Sequence, residues 1–226
     1  RDTTPNFPTD PCGGSVLSLS DDDYLQINLA DGKNVSIYGS SYSSFYVSSN
    51  GYITFDAGDT NKIESYETHF SAKRICALFD DLDPASAGQI TFRQLSDRAA
   101  VTFENVPEYG TSNSNSFQIE MFFNGTIRFA YLDIDANNGL AGLSNGDGIP
   151  ANFIESDLSN FAYCADFDTD KDVDIADFAN LAENWLLGDC PNSVWCSRAD
   201  LDRSSRVDLF DFGHFTAYWT GPSTGG

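Results

Sequence analysis

Two stretches of this sequence space carboxylates as a hard cation requires. ADFDTDKDVDIADFANLAENW (165–185) aligns without gaps to ADLDRSSRVDLFDFGHFTAYW (199–219). Asp166, Asp168, Asp174 and Asp177 match Asp200, Asp202, Asp208 and Asp211, and Val173, Phe178 and Trp185 match Val207, Phe212 and Trp219. Calcium takes about six to eight oxygens, and a 12-residue loop presents them at positions 1, 3, 5, 7, 9 and 12. The first loop offers Asp166, Asp168, Asp170, the carbonyl of Asp172, Asp174 (directly or through water) and Asp177. The second offers Asp200, Asp202, Ser204, the carbonyl of Arg206, Asp208 and Asp211. One such stretch could be a solvated acidic turn. Two in register, each followed by an amphipathic helix, predict two bound calcium ions, one per loop.

The elements that must position these loops follow from apolar periodicity. After about Ser159 the period changes from 2 to 3.6. Ile175, Phe178, Leu181, Ala182, Trp185 and Leu186 fall on one face of a helix that Gly188 is placed to end. From Ser15 to about Asp135 the pattern is β. Residues 24–29, 34–39, 45–49, 52–56, 75–79, 89–95, 99–106, 116–123 and 126–134 are short runs rich in Val, Ile, Phe, Tyr and Thr, which predicts nine strands. No helical interval separates them. The expected fold is therefore mainly β, an antiparallel sandwich or rolled sheet, followed by a small α-helical module. Asn50-Gly51 and Asn124-Gly125 join adjacent runs and suit type I′ hairpins. GLAGLSNGDGIP (139–150) reads as a glycine-rich loop. Arg1 to Gly14, with Pro5, Pro8 and Pro11, reads as an extended arm, and Pro222 to Gly226 as a tail. The expected divisions are 1–14, 15–159, 160–221 and 222–226.

Composition narrows the partners. The formal net charge is −22, so nucleic acid and anionic lipid are repelled and cations attracted. No run approaches the roughly 18 apolar residues that span a bilayer, so no membrane insertion is expected. Arg1 stands where Met would open a newly made chain, as in a processed mature form. The cysteines are Cys12, Cys76, Cys164, Cys190 and Cys196, and no two form a CxxC. With calcium loops they point to an oxidising, extracellular setting. Cys190 and Cys196 bracket PNSVW and could close a small loop, while the odd count leaves at least one thiol free or paired between chains. Asn34 and Asn124 head the sequons Asn34-Val-Ser36 and Asn124-Gly-Thr126, possible sites of glycosylation.

Catalysis finds little support. Asp80, Asp81 and Asp83 in FDDLDP could be paired acid/base carboxylates, a further metal site, or solvated acids at a strand end; the last reading is preferred. His69 and His214 are the only histidines, and neither stands in an evident Ser/His/Asp or Cys/His arrangement. Trp185, Trp195 and Trp219 could line a sugar platform, but two of them are duplicated helix positions, which favours core packing.

Two resemblances now become legible. A duplicated loop–helix with Asp rather than Glu at position 12 resembles a type I dockerin, over about Cys164 to Trp219. That likeness implies a calcium-loaded loop–helix pair that docks onto a cohesin domain. Two features depart from the family. Position 6, usually Gly, is Lys171 and Ser205, where a left-handed backbone costs on the order of 1 kcal/mol. Positions 10 and 11, usually small and polar where cohesin reads them, are Ile175-Ala176 and Leu209-Phe210. An apolar pair suits permanent packing better than reversible docking. Further upstream, FYVSSNGYITFD, RICALFDDLDP, AVTFENVPEY, NSFQIEMFFNGTIRFAY and GLAGLSNGDG resemble the extracellular NIDO (nidogen-like) domain, over roughly Tyr38 to Ser159. That likeness implies a matrix or adhesion module without catalytic role.

The expectation is thus a secreted, non-enzymatic assembly protein. Its interface centres on Ile175, Ala176, Leu209 and Phe210, and its first partner is a further copy of itself. The arm with Cys12, free of its own domain, could add to a neighbour's sheet edge and build a filament. Docking on a cohesin, with a carbohydrate- or matrix-binding β domain, is the alternative.

Overall fold

Phe117, Ile119 and Met121 alternate with Gln118 and Glu120 along the sequence. In the computed structural model this alternation puts the three apolar side chains into one core and the two polar ones on the opposite face of the same strand. The structure describes residues 6–155, 165–168, 172–190, 196–202 and 204–221; Cys164, Asp170, Lys171, Trp195, residues 1–5 and the 222–226 tail lie outside them. The chain divides into two units, Arg1–Phe153 and Ile154–Gly226.

The first unit runs β1 (Ser15–Leu17), β2 (Tyr24–Asn28), β3 (Val35–Ile37), β4 (Ser40–Tyr42), β5 (Ser44–Ser48), β6 (Tyr52–Thr54), α1 (Tyr66–Phe70), β7 (Lys73–Phe79), β8 (Gln89–Gln94), β9 (Arg98–Val106), β10 (Asn115–Phe122), β11 (Ile127–Ile134) and β12 (Leu140–Asn145). One five-stranded antiparallel sheet has the order β1-β8-β9-β10-β11, and the other β12-β7-β6-β5-β2; β3 and β4 form a separate pair. Phe45, Val47, Ile53 and Ile75 from one sheet and Ile90, Val101, Phe103, Phe117 and Ile119 from the other share a single core, so the mainly-β unit is a sandwich.

Four expectations for this unit are corrected. The β pattern is interrupted by α1, a five-residue helix capped by the Ser65 side chain on the Thr68 amide. It covers the outer face of β7. Residues 139–150 are not all loop: Leu140–Asn145 pairs with β7, and Gly139 and Gly146 flank it where a side chain would crowd Leu78 and Lys73 of that strand. The Asn-Gly turns are not type I′, since only Gly51 and Gly125 take positive φ and their asparagines do not. Asn50 instead turns its side chain inward, accepting from the Leu82 amide at 3.0 Å and donating to Asp22 and to the Asn61 carbonyl. Finally, the arm is not free of its own domain. Thr9 is buried on the outer face of β10, where its backbone exchanges hydrogen bonds with Gln118 at 3.0 and 2.7 Å and its hydroxyl donates to Glu120.

The second unit contains α2 (Ile175–Glu183) and α3 (Leu209–Ala217). Among the described residues its core is Ala165, Val173, Leu181, Cys190, Ala199, Val207 and Phe215. The sequence rule for the first helix overreached. α2 ends at Glu183 and Leu186 takes φ +65, so Trp185 and Leu186 leave the helical phase and stand outside that core. Trp219 is likewise outside it, resting edge-on against Phe215 at 5.8 Å. Cys190 and Cys196 form a disulfide. Cys12 is exposed and Cys76 buried, both as free thiols. Among the described residues no helix is long and apolar enough to cross a membrane.

Candidate metal centre

Each loop folds around the carboxylate at its twelfth position. Asp177 Oδ1 accepts from the Phe167 amide at 2.5 Å and the Asp168 amide at 3.3 Å, while Oδ2 accepts from Asp174 N at 2.9 Å. Asp211 repeats the pattern on Leu201 N, Asp202 N and Asp208 N at 2.6, 3.0 and 2.8 Å. Both carboxylates are fully buried. Asp174 and Asp208, at position 9, cap the two helices, and each forms a reciprocal capping box with the Asp three residues later. The D-x-x-D spacing that suggested ligands at positions 9 and 12 therefore also starts α2 and α3. That second role could have been read from the sequence.

The structure brings positions 1, 3 and 12 of each loop together. Oxygens of Asp166, Asp168 and Asp177 lie within 4.8 Å of one another, as do those of Asp200, Asp202 and Asp211. Oxygens sharing one calcium ion at about 2.3–2.6 Å can be no further apart than roughly 5 Å, so each trio could share one ion. The donor set is all oxygen, which suits a hard cation rather than zinc or copper. Asp172 differs from expectation. Its side chain joins Asp174 and Asp177 in a further grouping, in addition to the carbonyl assigned to it. Asp208 stands outside the second trio and serves as a cap. Ser204 donates its amide to Asp200 and Asp202, both at 2.9 Å, and its hydroxyl to the Arg206 carbonyl at 3.3 Å, so positions 5 and 7 face each other. Ser205 takes φ +72, the left-handed turn expected at position 6. Burial raises Asp200 above the usual carboxylate range. For Asp202 burial acts in the same direction, but hydrogen bonds from Ser204 outweigh it and hold the group low.

A further acidic group was missed because its members are remote in sequence. Asp21, Asp22 and Asp81 converge, with Lys62 Nζ 2.9 Å from Asp22 and 3.8 Å from Asp81. Asp80 and Asp83 are not the solvated acids the sequence suggested. Asp83 is buried and caps its own turn on Ala85 N and Ser86 N. Asp80 is 3% exposed, its Oδ2 has no hydrogen-bond partner, and burial pushes it up to about 7. A Cys/His contact also exists: His69 Nδ1 lies 3.2 Å from Cys76 Sγ. Burial, helped by Arg74, pushes the imidazole down to about 4, and burial pushes the thiol up. Both stay neutral, and a protonated thiol is a poor nucleophile.

The interface residues expected from the sequence stand at the helix starts. Ile175 and Ala176 open α2, Leu209 and Phe210 open α3, and all four are exposed. Asn34 and Asn124, the sequon residues, are exposed in loops.

Nothing matches this chain among curated proteins or among solved structures. A family described as NIDO related matches residues 3–166, which takes in the whole described β unit and reaches the first carboxylate of the first loop. Domains of the NIDO type are extracellular, and the Cys190–Cys196 disulfide is consistent with that setting. With nearly three-quarters of its length matched, the chain belongs to the NIDO-related family.

Proposed function

We propose that this is a secreted, non-enzymatic assembly protein whose C-terminal unit is a dockerin-like module ordered by two calcium ions, one per loop. Its partner is protein, in the first place a further copy of the same chain. The observation that carries this reading is the exposure of Ile175, Leu209 and Phe210 at 66, 71 and 74%. They are the residues at which each helix leaves its acidic loop, and none belongs to the module's own core. Trp185, Leu186, Leu187 and Trp219 are exposed as well. Soluble monomers rarely carry so much apolar surface on so small a unit. Covering each such side chain is worth about 1.5–3 kcal/mol, enough in combination to hold two modules together. Cohesin docking is the second reading: positions 10 and 11, which cohesin reads in dockerins, are exposed in both loops, but the apolar pairs there suit permanent packing better.

Light scattering and electron microscopy of the full chain, with calcium and then with EGTA, test the proposal. Oligomers or filaments that dissolve in EGTA are the expected result. Monodisperse monomers in saturating calcium would overturn self-assembly and leave docking on another protein.

A further inference from the structure

The carbonyl at position 7 of each loop belongs to a planar peptide whose N–H is that of position 8. In a trans unit the two groups point in opposite directions, so whatever binds the N–H aims the carbonyl. In the second loop Val207 N–H donates to the Leu187 carbonyl at 2.8 Å. The Arg206 carbonyl on the other side accepts from Ser204 Oγ, the position-5 oxygen. In the first loop the same peptide, Asp172–Val173, is held differently. Val173 N–H donates to a side chain, the Thr220 hydroxyl, at 2.7 Å. Val173 is fully buried, so water does not substitute easily for that acceptor.

The two clamps are reciprocal. Leu187 follows α2 and grips the second loop; Thr220 follows α3 and grips the first. Each of these two segments also sends an amide back: Leu186 N, the residue before Leu187, to the Val207 carbonyl at 2.9 Å, and Thr220 N to the Val173 carbonyl at 3.1 Å. Arg198, ahead of the second loop, donates to the Asp166 carbonyl at 3.1 Å, a second hold of one repeat on the other.

We propose that the Thr220 hydroxyl is the positioning group of the first calcium loop, aiming the Asp172 carbonyl at the ion and tying that site to the fold of the second repeat. This rests on the calcium reading of the loops. Thr220 itself touches no ion. It acts through one peptide, and the second loop needs no such side chain because a backbone carbonyl does the same work.

Calcium calorimetry on the full chain tests it in two backgrounds, Asp202→Asn to cripple the second loop and Asp168→Asn to cripple the first. In the Asp202→Asn background, Thr220→Val should weaken binding about tenfold and Thr220→Ser should restore it, as expected for loss of one buried hydrogen bond. In the Asp168→Asn background Thr220→Val should change affinity less than about twofold. Equal weakening in both backgrounds, or unchanged affinity in the first, overturns the proposal. So does a Thr220→Val chain that stays without helical circular dichroism in saturating calcium, because the hydroxyl would then serve folding and not aim. If the unmutated chain binds no calcium, the reading of the loops fails and takes the proposal with it.

Discussion

The amide of Cys190 donates to the carbonyl of Ser205 at 3.1 Å, so the left-handed turn of the second loop is bonded directly to the disulfide that Cys190 makes with Cys196. A short cross-link of this kind contributes about 2 kcal/mol by restricting the unfolded chain. Replacing both cysteines by serine should lower the melting point of the C-terminal unit and weaken calcium at the second loop more than at the first. Equal affinities before and after the change would show that the bridge and the loop are independent.

Two calcium ions per chain are expected by calorimetry. Chelation should remove helical circular dichroism and spare the β signal. Among the described residues the C-terminal core is a handful of side chains, and without ions the carboxylates within each of the Asp166 and Asp200 trios repel one another unscreened. Bound metal then supplies much of the folding free energy. A helical signal unchanged by EGTA would disprove metal dependence.

Leu209→Asp with Phe210→Asp should leave calcium binding intact and abolish assembly. Both side chains are exposed and neither contributes to the core around Phe215 and Val207. Sedimentation velocity reads the assembly state. Oligomers of unchanged size in the double variant would place the interface elsewhere.

Asp80 gives the β unit a pH dependence of predictable sign. Its ordinary value is 3.8, and burial lifts it to about 7 in the folded chain. Folding therefore favours the protonated form, and stability falls as pH rises from near 4 through 7. Asp80→Asn should raise the melting point of the β unit by at least a few degrees at pH 8 and change it little at pH 4. A gain that is the same at both pH values would point to packing instead.

Gly51 is the position where the β unit tolerates a side chain least. It takes φ +78, and a Cβ there would lie 1.7 Å from the Leu78 carbonyl oxygen. Gly51→Ala should cost on the order of 3 kcal/mol, read as a shift in the urea midpoint.

Much of this was legible in the sequence. The inward set Phe117, Ile119 and Met121 shows period 2 plainly, and the loop acids announce themselves by duplication. What escaped depends on contacts remote along the chain. β12 hides behind its glycines, and its pairing is set by β7, over sixty residues earlier. α1 is too short for a 3.6 period to register. The Asp21–Asp22–Asp81 group and the His69–Cys76 contact exist only once the sheets bring separate segments together. Trp185 continues the 3.6 period of Ile175, Phe178 and Leu181 in the sequence, whereas α2 stops two residues short of it.

Thr9 meets Gln118 and Glu120, 109 and 111 positions further along the chain. During synthesis the arm therefore leaves the ribosome long before its binding face exists. Contacts of such sequence separation form slowly, after the strands that create them. The arm is therefore among the last parts of the β unit to lock, and the outer face of β10 stays open to solvent until it does.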